Sequence, residues 1–191
     1  MLKNVQLWQR LKIWQKLILI AVLMGAPIPV IASLYWTEKN NTIEFAQKEV
    51  YGAEYLPPLK AFAKELSNYR ALASVYLNGD TSVLSQLTDA ERAAEQQLGL
   101  TEELDQKEIR NTSKSYGVWL QTSGRLRALR QKWDLLKGKT QTAQAKENFE
   151  ACTNLLDQVN DFITHVGDQS NLILDPDLDT YYLMDAVVTQ I

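Results

Sequence analysis

Apolar residues recur at steps of three and four along most of this chain, and one uncharged run over residues 17–36 breaks that rhythm. Leu59, Phe62, Leu66, Tyr69, Ala73 and Tyr76 mark one face of a helix, and Asn78-Gly79-Asp80 supplies the turn chemistry that ends it. Leu84, Leu87, Ala94 and Leu98 outline a shorter helix ending near Gly99, after which residues 101–110 are polar. Trp119, Thr122, Leu126, Leu129, Trp133 and Leu136 form a second long stripe closing at Gly138, a candidate left-handed residue past the helix end. Phe149, Cys152, Leu156, Val159, Ile163 and Val166 form a third, closing at Gly167. Period-two alternation is nearly absent, and Ala, Leu, Gln, Glu and Lys dominate, so the fold is expected to be all-α. Seams of this spacing pack nearly antiparallel, at about +20°, which predicts an antiparallel four-helix-bundle-like domain.

The uncharged run has a different physics. Its twenty residues rise as a helix by about 1.5 Å each, the thickness of a bilayer's hydrocarbon core. Lys3, Arg10, Lys12 and Lys16 precede it and no Asp or Glu appears before Glu38, so the N-terminus is expected in the cytoplasm and the rest outside. Trp8 and Trp14 on one side, and Tyr35 and Trp36 on the other, suit the two headgroup zones. The expected organisation is a basic leader (1–16), a transmembrane helix (17–36) kinked by Pro27 and Pro29, a helical extension (37–57) and a helical domain (58–191). Pro57-Pro58 is expected to end one helix and open the next. A cleaved secretory signal is the competing reading, with its core over 17–26 and Val30-Ile31-Ala32 before the cut. The long Trp-bearing leader and the apolar continuation to Trp36 favour a retained anchor.

Charge narrows the partners. Beyond residue 37 the chain holds 16 basic and 23 acidic residues, which argues against a nucleic-acid surface. Cys152 is the only cysteine, so no intrachain disulfide forms, and it reads as a small buried apolar residue. His165 is the only histidine, and no nucleophile elbow, phosphate loop or zinc motif is present, so neither an enzyme nor a cofactor is expected. Asp175, Asp177 and Asp179 have the spacing of a calcium loop, but Thr180 and Ala186 stand where its glycine and bidentate glutamate belong. Helix capping explains them better than a metal. Arg125, Arg127 and Arg130 circle their helix as a solvated surface does. Arg70 adjoins the seam residue Tyr69 and lies one turn from Leu66 and Ser74, where its fork of donors suits a carboxylate or small oxyanion; the alternative is a solvated or salt-bridged arginine. The chain stops at Ile191 within an apolar helical pattern, as a piece of a longer protein would.

Three segments, YGAEYLPPL (51–59), YRALASVYLNGD (69–80) and SNLILDPDLDTYYLMD (170–185), together resemble the helical extracytoplasmic sensor regions at the N-termini of bacterial transmembrane receptors, chiefly methyl-accepting chemotaxis proteins and sensor histidine kinases. The resemblance implies a sensory input region in the bacterial inner membrane, working as a homodimer and passing ligand-induced helix shifts inward. Kinase or cyclase output would lie in a C-terminal domain that this sequence does not contain. A small anionic or carboxylate ligand is expected at Arg70, with Tyr76, Asp175, Asp177, Tyr181, Tyr182 and Asp185 as its candidate neighbours. Relatives commonly carry Arg-Gly where this chain has Arg70-Ala71. The alternative function is a membrane-anchored scaffold that dimerises or docks a protein partner and takes no small ligand.

Overall fold

A computed structural model of the chain describes residues 12–109, 113–140 and 143–172, which are almost wholly helical. The helices are α1 (Ile13–Gly25), α2 (Pro27–Leu77), α3 (Leu84–Gln106), the single turn α4 (Tyr116–Trp119), α5 (Ser123–Lys139) and α6 (Ala145–Gln169), with a 3-10 turn at Thr81–Val83. Among the described residues there is no strand, only an isolated antiparallel bridge between Glu108 and Ser115. The protein is all-α, as the pattern predicts. Most of the expected leader, the acidic triplet and the candidate site residues Asp175, Asp177, Tyr181, Tyr182 and Asp185 lie outside the described residues.

The chain divides into two compact units, Met1–Glu44 and Phe45–Ile191, and α2 contributes to both. In the first, the helical stretch from Ile13 is long and apolar enough to cross a membrane. Its large apolar side chains, among them Leu17, Val22, Leu23, Met24, Ile28, Ile31, Leu34 and Trp36, are all exposed. The helix is interrupted at Ala26, whose dihedrals remain helical. Pro27 and Pro29 cause this interruption: neither has an N–H to give the carbonyl four residues back.

The second unit is built on the predicted seams. Leu59, Phe62, Leu66, Tyr69 and Ala73 of α2 are buried, and α2 ends at Leu77, where Gly79 adopts φ +107° and Asp80 accepts a hydrogen bond from the Ser82 N–H. Trp133 of α5 sits at the centre, fully buried, with Phe62 and Tyr69 edge-on to it at 5.8 and 5.1 Å. Contacts between successive long helices run antiparallel. Tyr55, early in the part of α2 that belongs to the second unit, meets Asp105 late in α3, Glu95 meets Lys137 while Asp105 meets Ser123 across α3 and α5, and Tyr55 meets Phe162 while Arg70 meets Thr153 across α2 and α6.

Four local expectations are overturned. The helix does not end at Pro57-Pro58: α2 runs through both prolines. Each interior proline costs about 3 kcal/mol, but Tyr55, Leu56, Leu59 and Phe62 around them are all buried, and full burial stabilises each by about 1.5–3 kcal/mol. Nor does α3 stop near Gly99. An interior glycine costs only about 1 kcal/mol against alanine, and the buried seam continues past it through Thr101 to Asp105. Gly138 is not left-handed, because α5 continues through it to Lys139, and Gly167 lies within α6, which ends at Gln169. On α6 the buried face is Cys152, Leu155, Val159, Phe162, Ile163 and Val166, whereas Phe149 is 43% exposed.

Leu66 and Leu129 are both buried in facing seams. Leu66→Asp or Leu129→Asp places an unpaired charge there at a cost of several kcal/mol, comparable to the stability of a whole domain. Circular dichroism should show each variant losing helix and cooperative melting; a wild-type melting curve would show the seams to be misplaced.

Candidate functional site

Arg70, the leading sequence candidate, stands on α2 against α6. Its guanidinium donates to Thr153 Oγ1 at 3.1 Å and lies 4.9 Å from the centre of the Phe149 ring. Both contacts are internal packing, so the arginine is used to join α2 to α6 through a neutral hydroxyl and a ring face. Tyr76 packs partly buried against the core near the end of α2. Six residues separate it from Arg70, about one and two-thirds helical turns, so the two point to different faces. His165 donates from Nε2 to the carbonyl of Gln121 at 3.2 Å, pinning α6 to the positive-φ residue between α4 and α5. Cys152 is fully buried, and burial pushes its thiol up to about 11, which keeps it protonated and unreactive at neutral pH. No group of metal-ligating residues occurs among the described residues.

Three polar clusters escaped the sequence reading. The deepest surrounds Asp105, whose Oδ1 accepts from Tyr55 Oη at 3.0 Å and Thr122 Oγ1 at 2.6 Å, and whose Oδ2 accepts from Ser123 Oγ at 2.7 Å. The carboxylate therefore sits at the N-terminal end of α5, where the helix dipole favours it. A Cβ at Gly117 would lie 2.2 Å from Asp105 Oδ2 and 2.3 Å from Ser123 Oγ, so this approach is open only to glycine. Burial, with the neighbouring charge of Asp105, pushes the Tyr55 hydroxyl far above its ordinary value and keeps it a donor. Asp105 falls on the seam of α3 four residues after Thr101 and seven after Leu98; following the period past Gly99 is the signal that finds it.

The second cluster clasps α3 to α5. Arg130 makes a two-pronged contact to Glu102, Nε to Oε1 at 2.7 Å and Nη2 to Oε2 at 2.6 Å, and also pairs with Glu95. Glu95 further accepts from Lys137 at 2.5 Å and from Trp133 Nε1 at 2.9 Å. Arg130 is thus no solvated surface charge: its position beside the seam turns it toward the acidic flank of α3. In the third, Glu54 accepts from Lys107 at 2.7 Å and from the Tyr116 hydroxyl at 3.0 Å, and the Tyr116 ring lies 4.4 Å from that of Tyr51, tilted by 38°. All three are paired structural clusters. None offers an activated nucleophile with its base.

No family model, curated protein or solved structure matches the chain.

Partial burial pushes the Glu95 carboxyl up, but the donors from Lys137, Arg130 and Trp133 outweigh it and hold the group at about 2 against an ordinary 4.5. A carboxyl depressed in the folded state contributes stability that is complete above its unfolded value and is lost as pH falls through 4.5 toward 2. Urea midpoints measured from pH 6 to pH 3 should therefore fall less steeply for Glu95→Gln than for wild type. Parallel slopes would remove Glu95 from the acid response.

Proposed function

We propose that this chain is the membrane-anchored sensory input region of a bacterial signal-transduction receptor, a chemoreceptor or a sensor histidine kinase. One observation carries the reading: an unburied apolar helical stretch able to cross a bilayer is followed, within the same helix α2, by a compact all-α unit with its own core. Large apolar surface left open all round a helix is stable in lipid and a liability in water. Residues 17–36 form the transmembrane segment, the basic residues before it stay in the cytoplasm, and the unit from Phe45 lies outside the inner membrane.

The antiparallel contacts of α2, α3, α5 and α6 support an up-down four-helix bundle in that unit. Such a bundle suits sensing because packed helices slide by small steps between alternative packings, and a ligand biases them only by binding one better than the other.

The leader is expected to stay attached, which the intact mass of membrane-extracted protein decides; a mature N-terminus at Ser33 would remove the anchor. Orientation is checked by Thr88→Cys, an exposed position on α3. A membrane-impermeant maleimide should label it in intact spheroplasts, while buried Cys152 stays unlabelled. Labelling only after lysis would reverse the topology.

A further inference from the structure

Between α5 and α6 runs a groove of about 310 Å³, its apolar floor formed by buried Leu136 and Leu155 and its side by exposed Ala151. Leu135, 63% exposed, stands at its mouth. Lys132 and Lys139 flank it on α5, seven residues and so about 10 Å apart along the helix. The wall on α6 carries three neutral amides, Asn148, Asn154 and Gln158, and Glu147 is the only carboxylate among the lining residues. We propose that this groove binds a small amphiphilic anion, a carboxylate carried on a compact apolar body.

The chemistry of the groove selects that class. An apolar floor takes the body of the ligand, and two ammonium groups on one rim take its charge. Lys132 already donates one bond across the groove to Gln158, and an ammonium with three protons keeps two for a ligand. Two cations outweigh the single Glu147, so a neutral or cationic amphiphile fits less well.

Buried Asn148 lines the same groove, and its amide nitrogen has two protons of which one bonds Thr140 Oγ1 at a long 3.3 Å. Thr140 donates to the Leu136 carbonyl, so its oxygen is the acceptor for the Tyr69 hydroxyl of α2 at 2.5 Å. One amide and one hydroxyl therefore separate the groove from α2. The coupling of ligand to α2 rests on the sensory reading; the binding does not.

The test uses the full chain in lipid nanodiscs, with 3-phenylpropanoate as probe and 3-phenylpropanol as its neutral control, measured by equilibrium dialysis against empty nanodiscs. The acid should bind saturably at one per chain and the alcohol far more weakly. Ala151→Trp, at an exposed position, should abolish binding without changing the melting curve. Lys132→Gln with Lys139→Gln should weaken it about tenfold, the scale of one charge-assisted hydrogen bond. No saturable uptake, equal uptake of the alcohol, or unchanged binding in Ala151→Trp would each overturn the proposal. Slower hydrogen exchange around Tyr69 on binding would support the coupling; unchanged exchange alongside saturable binding would leave the site standing and refute its sensory use.

Discussion

A buried carboxylate must be given donors, and Asp105 draws its three from two other parts of the fold. Taking such a charge out of water costs several kcal/mol, which only well-placed hydrogen bonds return. Tyr55 supplies one from α2, and Thr122 and Ser123 supply two at the start of α5. Sliding α3 by one residue turns the carboxylate through about 100° and leaves it unpaired. The register of three helices is thus fixed by one side chain, and Gly117 exists at its place because any other residue would collide with that arrangement. The Glu95 and Arg130 clasp, farther along the same pair of helices, works in partly exposed surroundings, where the geometry of the fork matters more than the charge count.

Helix type and buried faces were legible because three-four spacing is dictated by packing itself. Leu59 through Ala73 and Leu126 through Leu136 fall where the period puts them. Helix ends were less legible, since Gly99, Gly138 and Pro57-Pro58 carry local preferences worth about one to three kcal/mol that tertiary burial outweighs. Gly79 ended a helix because its backbone is left-handed; Gly138 did not because its backbone is helical. Charged residues were hardest to read. Arg125, Arg127 and Arg130 look alike in sequence, and only the acidic residues facing Arg130 from α3 separate it from the other two. Arg70 has its predicted position at the seam, where Thr153 accepts from one of its N–H groups and Phe149 covers its flat face.

The chain carries two kinds of apolar pattern. Residues 17–36 are apolar all round and find no burial within the protein, whereas α2 beyond Tyr55 confines its apolar residues to a face that others cover. The change occurs inside a single helix. No loop or glycine turn intervenes, because α2 is helical from Pro27 to Leu77.

The prolines give that helix a particular weakness and a particular remedy. Pro57 and Pro58 remove the hydrogen bonds that the carbonyls of Ala53 and Glu54 would otherwise accept, so the backbone there is held less by its own ladder. Tyr55 lies inside the affected turn, and its hydroxyl is anchored to Asp105 while its ring packs 6.0 Å from that of Phe162. Side-chain contacts from α3 and α6 thereby do what the missing backbone bonds cannot. Any rearrangement that draws Asp105 away from Tyr55 would loosen α2 at its least supported point. On the sensory reading, that makes the stiffness of α2 depend on how its neighbours are packed, which is the dependence that a helix carrying a signal requires.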